Sequence, residues 1–395
     1  MPRFEPFAAL RYAASEPLDD VTAPPYDVLS VADVEALLRR HPHNIVAIDV
    51  PLDRDGPQRY DAAGRRMADW MGDGVMVADD APSLTLYRMD FTDEAGRFRS
   101  TVGVIGALEV VDEGAAGVLP HERTTPKAKT DRLDLTRATH CNLSPIWGLS
   151  LSTGLTALLE SPGEPIGRCV DENGVVHRVE RVTDAKRIAE ISTAVAAHPV
   201  LIADGHHRYA ISRTYRDEVR AASGSTDTSA ELTMTYVAEL VEDQLSIDPI
   251  HRVYRGVTAA DLLDRLGRYF VAAEAGSVTP RFAVEAIDRE AMCLVRPDGT
   301  GVWLSPRAEK FEGVRAIDGA YLEHALEGAT VDVGYQHGVG NVLELLRDGQ
   351  ADAAVLIRPT GIDEIRRTAD ERLLMPPKST FFTPKLRTGL VLRRL

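Results

Sequence analysis

Residues 199–209 read Pro-Val-Leu-Ile-Ala-Asp-Gly-His-His-Arg-Tyr, an apolar run that ends in a polar cluster. The apolar residues 200–203 predict a buried strand, and residues 206–220 have the length and the polar face of an exposed helix. Gly205 lies between them, and a residue without a Cβ atom accepts the tight turn that this junction needs. Further strand and helix patterns alternate along the chain, so the sequence predicts an α/β or α+β fold.

The same turn is a candidate anion site. Unpaired amide groups at a helix start and the helix dipole both favour negative charge, and Arg208 adds a guanidinium that binds phosphate or carboxylate with two hydrogen bonds. Asp204 adds a carboxylate, which suits a metal ion or a proton acceptor. The structural alternative is that Asp204 only caps the helix, and that His206 and His207, about 100° apart on a helix, serve no common site. We favour the functional interpretation, because five polar or special residues in succession exceed what a cap needs.

The composition is that of an ordinary globular protein. The chain has 395 residues, 44% of them hydrophobic, so we expect two or three packed domains. The 60 acidic residues outnumber the 45 basic ones, and the net charge of -15 argues against nucleic-acid or anionic-membrane partners. The N-terminal stretch lacks the pattern of a signal peptide, and the apolar runs are too short to span a bilayer. We therefore expect a cytoplasmic protein.

Cysteine usage excludes a disulfide framework. Cys141, Cys169 and Cys293 are widely spaced and odd in number, and none forms a Cys-x-x-Cys pair. This pattern predicts core thiols rather than disulfides or a cysteine-based zinc site.

The chain divides into three predicted blocks. They comprise residues 1–111, 112–256 and 257–395. In the first block, Ser30 and Asp33 form a capping-box pattern that predicts a helix to Arg40, and residues 44–50 predict a strand. The second block holds the polar motifs, and the third adds further helices and strands.

A second polar motif lies in residues 119–132, which carry ten polar or charged side chains in fourteen positions. His121 and Glu122 stand beside a group of basic residues that includes Arg123 and Lys129. A carboxylate beside a histidine, with cations nearby, is the set needed to deprotonate a hydroxyl and to neutralise transferring phosphate oxygens. The alternative is an exposed, charge-rich loop.

The N-terminal motif Pro24-Pro25-Tyr26-Asp27 predicts a stiff turn that presents a phenol and a carboxylate. We favour the structural interpretation, in which the turn seats the following helix, and keep Tyr26 and Asp27 as accessory site residues. Arg252, in a predicted loop, adds a further accessory cation.

The C-terminal segment, residues 375–386, contains Lys378-Ser379-Thr380, which is similar to the end of a P-loop. Residues 372–377 contain no glycine, so a P-loop is excluded. Lys378 and Lys385 are candidates to reach a phosphate, and the alternative is an irregular packing segment rich in proline and phenylalanine.

Four motifs in the same order resemble the bacterial and archaeal family named domain of unknown function 1015. They are Pro24-Pro25-Tyr26-Asp27, His121-Glu122-Arg123-Thr124, Asp204-Gly205-His206-His207-Arg208-Tyr209, and Met375-Pro376-Pro377-Lys378-Ser379-Thr380 with Pro384-Lys385. The resemblance covers essentially the whole chain, and four motifs in order are far more specific than one.

The middle block is similar to free serine kinases with the ParB/sulfiredoxin-like fold, which transfer phosphate from a nucleotide to free L-serine. The similarity lies in the His121-Glu122 pair followed by the Asp-Gly-His-His-Arg turn at residues 204–208. It implies that Glu122 is the base for the hydroxyl, beside His121 as a further catalytic candidate, and that Asp204 lies at the metal or phosphate site. It also implies a phosphate cradle made of Gly205, His206, His207 and Arg208.

We therefore predict an α/β (α+β) fold with a ParB/sulfiredoxin-like core between N- and C-terminal α/β blocks. The leading hypothesis is a phosphotransferase that depends on Mg²⁺, takes ATP or ADP as donor and acts on a small hydroxyl compound such as free L-serine. The first alternative is a nucleotide-binding or nucleotide-hydrolysing regulatory protein of ParB-like type without an acceptor. The second is a metal-dependent hydrolase that uses His121, His206 and His207. The donor, the acceptor and the oligomeric state stay open at this point.

Overall fold

Two compact units make up the described part of the chain, which is residues 1–93, 96–122, 129–280 and 282–395 of a computed structural model. Unit 1 comprises Met1–Asp93, Phe98–Leu245 and Pro384–Leu395. Unit 2 comprises Ser246–Thr383 together with residues 96 and 97. The C-terminal segment that carries Lys385 therefore belongs to the same unit as the Asp204 turn.

The strands follow in chain order. In unit 1 they are β1 (Phe4–Glu5), β2 (Leu10–Tyr12), β3 (Met76–Ala78), β4 (Leu84–Thr92), β5 (Phe98–Glu109), β6 (Val118–Pro120), β7 (Cys141–Asn142), β8 (Ile146–Ser150), β9 (Glu164–Val170), β10 (Val176–Val182), β11 (Val200–Asp204) and β12 (Leu232–Glu239). In unit 2 they are β13 (Ser246–Asp248), β14 (Ile250–Arg255), β15 (Phe270–Ser277), β16 (Met292–Val295), β17 (Thr300–Pro306), β18 (Asp332–His337), β19 (Ala353–Leu356) and β20 (Phe381–Thr383). Strand β21 (Arg393–Arg394) returns to unit 1.

The α-helices are divided between the units in the same way. In unit 1 they are α1 (Leu18–Val21), α2 (Val31–Arg40), α3 (Val46–Asp49), α4 (Arg59–Gly72), α5 (Lys129–Thr139), α6 (Leu155–Glu160), α7 (Ala185–Ala196) and α8 (His206–Ser223). In unit 2 they are α9 (Ala259–Leu266), α10 (Phe282–Asp288), α11 (Asp318–Ala325), α12 (Val339–Arg347) and α13 (Ile362–Glu371).

A mixed sheet forms the centre of unit 1. Its strand order in the described residues is β6-β11-β8-β12-β5-β4-β10-β9, and β1 pairs with β5. The pairs β6–β11 and β8–β12 are parallel, whereas the other neighbours in this order are antiparallel. The pairs β4–β5 and β9–β10 are antiparallel hairpins. The fold class is thus α/β with a large mixed sheet, as predicted.

The first block contains one confirmed and one wrong prediction. Helix α2 begins with the predicted capping box, in which the Ser30 side chain accepts from the Asp33 amide and the Asp33 carboxylate accepts from the Ser30 amide. Residues 44–50, predicted as a strand, instead contain the buried helix α3. The Asn44 side chain starts this turn, since its Oδ1 accepts from the Val46 amide at 3.1 Å while its Nδ2 donates to the Asp20 carbonyl at 2.6 Å. Hydrophobicity alone does not separate a short buried helix from a short buried strand.

Unit 2 is built on a second sheet, which is antiparallel. Its order is β15-β17-β16-β19-β14-β18, and β13 pairs with β20. Leu294 and Val295, neighbours in β16, belong to two different apolar clusters. The clusters lie on opposite faces of the sheet, because neighbouring side chains of a strand face opposite sides. Helices α10 and α12 cover one face, and α9 and α11 cover the other.

Two expectations from composition can be compared with the structure. The three cysteines are free and buried, as their spacing predicts. Every helix in the described ranges is too short or too polar to cross a bilayer.

The division into three blocks stays a prediction. Strand β5, from the first predicted block, pairs with β12, from the second, in the same sheet. Both predicted blocks therefore contribute to unit 1, and its centre depends on pairing between residues more than a hundred positions apart.

Candidate functional site

Two adjacent parallel strands bring the two central motifs together. Strands β6 and β11 pair in parallel, with Pro120 opposite Ile202. His121 follows the end of β6, and Asp204 ends β11. The carboxyl ends of parallel neighbours lie at the same edge of a sheet, the usual place for ligands in α/β proteins. Motifs more than eighty residues apart in sequence therefore converge at one edge.

The predicted strand, turn and helix are confirmed. Gly205 connects β11 directly to α8 and has a φ of +86°, in the left-handed region that favours glycine. The N-cap residue of α8 is Gly205, which has no side chain to cap the helix. The amide groups of its first turn and the positive end of its dipole are therefore directed at the edge where Asp204 lies.

Asp204 lies between two cations. Its Oδ2 atom is 3.5 Å from Lys385 Nζ and 3.3 Å from Arg208 Nη2, and the Asp204 side chain is 26% exposed. Burial alone would raise the pKa of the carboxyl group, but Lys385, Arg208 and His206 outweigh burial and hold this pKa well below its usual range. Asp204 is therefore ionised at neutral pH and pairs with both cations.

Arg208 is fixed by more than its ion pair. Its Nη1 donates to Ser144 Oγ at 3.2 Å and to the carbonyl of Pro145, and the Arg208 side chain is only 13% exposed. These contacts anchor one edge of the guanidinium to the residues just before β8. A guanidinium held in one orientation loses little conformational entropy when it binds an anion.

The conformation of Gly205 yields a stability prediction. Replacement by alanine is expected to cost more unfolding free energy than Gly224→Ala at the other end of α8, where φ is +68°. Both variants place a Cβ atom in the left-handed region, at a cost of about 1 kcal/mol. At Gly205 the new atom would also lie 2.9 Å from Arg208 Nε, whereas at Gly224 nothing lies within 4 Å. Urea unfolding of the two variants measures the difference, and equal losses would show that Arg208 shifts without cost.

His121 is a neutral, oriented imidazole. It is buried, and its Nδ1 lies 2.6 Å from the carbonyl oxygen of Ile202. A carbonyl only accepts, so Nδ1 carries the proton of the neutral ring. Burial lowers the pKa of His121 to about 4. Its Nε2 is 3.8 Å from Glu122 Oε2, and its ring centroid is 4.9 Å from that of His206.

Glu122 is more exposed than the histidine beside it. Its side chain is 15% exposed, against 1% for His121. A neutral His121 does not neutralise the neighbouring carboxylate, and His121 is itself held by the main chain of β11. The pair therefore consists of a partly exposed carboxylate beside a buried imidazole that the main chain of β11 holds.

Tyr26, from the N-terminal motif at residues 24–27, lines a cavity in unit 1 together with Arg208. Tyr26 begins a short 3-10 helix and lines a cavity of about 50 Å³ together with Asp49, Arg132, Ser144 and Arg208, among others. The Arg132 guanidinium lies 4.1 Å from the centroid of the Tyr26 ring. The structure thus brings Tyr26 to Arg208, a proximity that the sequence could not show.

Two charged residues of this cavity were missed by the sequence prediction. Asp49 is 2% exposed and pairs with Arg132, whose Nη1 lies 3.0 Å from Asp49 Oδ1. Burial raises the pKa of Asp49 although Arg132 opposes the rise. Arg132 had a signal, because it lies in the charge-rich residues 119–132. Asp49 had none, because its segment was interpreted as a strand.

The remaining predicted site residues are distributed as follows. Arg123 and the Lys129 side chain lie outside the described residues. Asp27 is exposed in the short helix of Tyr26. Arg252 and Lys378 belong to unit 2, where Arg252 Nη1 donates to the Lys378 carbonyl at 3.1 Å. A role for these residues stays a prediction.

The three histidines proposed for a metal-dependent hydrolase do not form one metal site in the described residues. In those residues, three metal-ligating atoms close enough to share an ion occur at Glu16, His41 and His43 instead. His206 lies against His121, whereas His207 is rotated about 100° from His206 around α8. The role of Asp204 as a metal ligand stays a prediction.

Several solved structures are similar to this chain. A free serine kinase in complex with AMP is 13% identical with a TM-score of 0.36, and the match covers 69% of this chain and 89% of the kinase. SbnI with C-terminal truncation, from Staphylococcus aureus, is 15% identical with a TM-score of 0.38, and the match covers 72% of this chain and 85% of SbnI. A conserved hypothetical protein from Pyrococcus furiosus is 12% identical with a TM-score of 0.36, and the match covers 69% of this chain and 92% of that protein.

The comparison by sequence gives a different result. No match was found among the curated proteins. A family model described as a protein of unknown function, DUF1015, matches residues 4–321. The chain therefore belongs to the DUF1015 family, as its motifs predict, and the fourth motif lies outside the matched residues.

Proposed function

We propose that the protein is a cytoplasmic, nucleotide-dependent phosphotransferase that acts on a small hydroxyl compound. One observation carries the proposal, namely the meeting of the His121-Glu122 pair and the Asp204 turn at the ends of two adjacent parallel strands. This edge combines a carboxylate near the surface, an uncapped helix start and two cations. Such a set suits phosphoryl transfer, in which catalysis is mainly positioning and electrostatic stabilisation.

The phosphate groups of the donor would bind at the start of α8. Its first amide groups, at His206 and His207, supply donors in a fixed direction, while the Gly205 amide donates to the Asp204 carboxylate. Arg208 and Lys385 supply positive charge at the same place. Because both cations are already anchored by Asp204, little reorganisation is needed when an anion arrives.

Magnesium fits this arrangement through Asp204. The carboxylate is ionised and partly exposed, and Mg²⁺ commonly takes only one or two protein carboxylates together with phosphate oxygens and water. Asp204 would therefore hold Mg²⁺ against the donor phosphates. The ion would supply positive charge to the phosphoryl oxygens during transfer.

Glu122 would act as the general base. As the acceptor oxygen bonds to the terminal phosphorus of the donor, the phosphorus–oxygen bond to the nucleotide breaks, and Glu122 takes the hydroxyl proton. His121 is neutral and its proton is held by the Ile202 carbonyl, so it would leave the hydroxyl proton to Glu122. The motif resemblance to free serine kinases makes L-serine the first acceptor to test.

A thermal-shift titration with ATP and ADP, with and without Mg²⁺, tests the donor site. Wild-type protein is expected to be stabilised by one of the nucleotides, by about 2.7 kcal/mol at a hundred times its Kd. The double variant Asp204→Asn/Arg208→Ala should lose this shift, because both the metal ligand and the phosphate clamp are gone. Arg213→Ala, on the same helix but paired with the exposed Glu113, is the matched control and should keep it.

The acceptor is tested in a second step, by a screen of L-serine and other small hydroxyl compounds for phosphoryl transfer. Transfer to one of them supports the enzyme. Nucleotide binding or slow hydrolysis without any transfer would instead favour the alternative hypothesis, a regulatory protein of ParB-like type. If no nucleotide stabilises the wild type, the protein does not bind the proposed phosphoryl donor, and the proposed function is wrong.

A further inference from the structure

Glu16, His41 and His43 form a cluster of metal-ligating side chains in unit 1. One nitrogen of each imidazole and one carboxylate oxygen lie within 4.8 Å of one another. His43 Nδ1 and Glu16 Oε2 are 3.0 Å apart. We propose that this cluster, called here the Glu16 cluster, binds a divalent transition-metal ion of the Zn²⁺ type.

The donor set has the chemistry of such a site. Two imidazoles and one carboxylate are a known ligand combination for Zn²⁺, which takes three protein ligands and leaves a fourth position for water. Two ligand atoms about 2.0–2.1 Å from a tetrahedral ion lie roughly 3.3 Å apart. The 3.0 Å separation of His43 Nδ1 and Glu16 Oε2 is close to this value. Small side-chain rotations would bring the third ligand atom into range.

The main chain holds both imidazoles in place. His41 follows α2 directly, and its amide donates to the Leu37 carbonyl at the end of that helix. His43, two residues later, has its carbonyl bound by the Tyr12 hydroxyl at 2.6 Å, and its amide donates to His41 Nδ1 at 3.1 Å. Ligands anchored in this way need little ordering when a metal binds.

The surroundings leave one side of the cluster open. The His43 ring meets the Trp70 ring edge-on with centroids 5.4 Å apart, and the side chains of His43 and Glu16 are 31% and 14% exposed. A surface cleft of about 510 Å³ begins at His43, with charged walls formed by Arg65, Arg66, Asp69 and Asp73. The two arginines and two aspartates offset each other, so the cleft adds no net charge. A fourth ligand therefore has access from solvent.

A simple ion pair between Glu16 and His43 is the competing explanation. An ion pair would involve only Glu16 and His43, and the His41 imidazole would then bind no cation. A bound metal ion would have all three side chains as ligands. The two explanations therefore differ in what happens when His41 is replaced.

Equilibrium dialysis of chelator-treated full-length protein against Zn²⁺, with metal quantification, tests the proposal. We expect one Zn²⁺ bound at the Glu16 cluster of each chain and affinity losses of about tenfold or more in His41→Ala, His43→Ala and Glu16→Gln, since each removes one of three ligands. His198→Ala removes an exposed histidine outside the cluster and should bind as the wild type does. Co²⁺ in place of Zn²⁺ should give the visible absorption of tetrahedral coordination, weakened by the same three substitutions.

Folding and location are controlled separately. Circular dichroism identifies a variant that has failed to fold, and Glu16→Gln keeps the size of the side chain. Unchanged Zn²⁺ binding in the folded His41→Ala/His43→Ala variant would overturn the proposal, as would no binding by the wild type at micromolar Zn²⁺. Loss of binding in His206→Ala/His207→Ala, with binding kept in His41→Ala, would place the metal at the α8 turn and overturn it equally. None of these outcomes depends on phosphoryl transfer.

Discussion

Replacing Glu122 by glutamine is expected to lower kcat for phosphoryl transfer by about 100- to 10,000-fold, the usual contribution of a general base. Glutamine keeps the size of the side chain and its hydrogen-bonding oxygen but does not accept the hydroxyl proton. Nucleotide affinity should stay within about threefold of the wild type, because the proposed phosphate groups bind at the start of α8 and at Arg208 and Lys385 rather than at Glu122. A loss in kcat without a loss in affinity is the signature of a group that acts only in the transition state.

The measurement combines steady-state transfer to the acceptor found in the screen with calorimetric titration of the nucleotide. Glu113→Gln is the matched control, since Glu113 is exposed and pairs with Arg213 away from the turn. Its kcat should equal that of the wild type. Full turnover in Glu122→Gln would show that another group takes the proton, even if the nucleotide site is correct.

Acidification from about pH 7 to about pH 4 is expected to remove on the order of 3 kcal/mol of unfolding free energy through His121 alone. Burial lowers the pKa of His121 to about 4 in the folded protein, whereas an unfolded histidine has its ordinary value near 6.5. Between these values the unfolded chain binds a proton that the folded protein does not, so stability falls as the pH falls. The contribution is fully present above about pH 6.5 and is lost as the pH approaches 4.

His121→Asn isolates this effect. The asparagine amide can still donate to the Ile202 carbonyl, but it has no proton to gain in this range. Burial lowers the pKa of His177 and of His251 as well, so the wild type and the variant share those contributions and only the difference between them reports His121. Urea unfolding at several pH values should give a shallower pH dependence in the variant. Parallel curves would mean that the folded-state pKa of His121 is close to its unfolded value.

Local patterns predicted much of the secondary structure because the forces involved are local. The Ser30 and Asp33 capping box starts α2, as the sequence pattern predicts. The error at residues 44–50 has a tertiary cause. Asn44 donates to the carbonyl of Asp20, a partner on another segment, and the buried helix α3 has the same apolar composition as a strand.

In the candidate site, too, the contacts between chain neighbours were predicted and those between distant segments were not. Asp204, Gly205 and Arg208 were predicted because strand, turn and helix follow one another in the chain. Lys385, the partner of Asp204 from the chain end, was predicted only as a candidate to reach a phosphate, and no pattern pairs it with a carboxylate 181 positions away. The pair of Asp49 and Arg132 was missed altogether, since the two residues meet only after α3 and α5 have folded.

By itself the sequence determined the α/β class, the family, the strand-turn-helix unit at Gly205 and the residue types available for chemistry, because periodicity, capping and turn preference act between neighbours in the chain. Only the tertiary structure decided that His121 lies beside the Asp204 turn, that Lys385 neutralises Asp204 and that Tyr26 shares a cavity with Arg208. Those contacts depend on the parallel pairing of β6 with β11 and on the return of the chain end to unit 1. Pairing between distant strands is set by how the whole apolar surface is buried, and no short stretch of sequence contains that information.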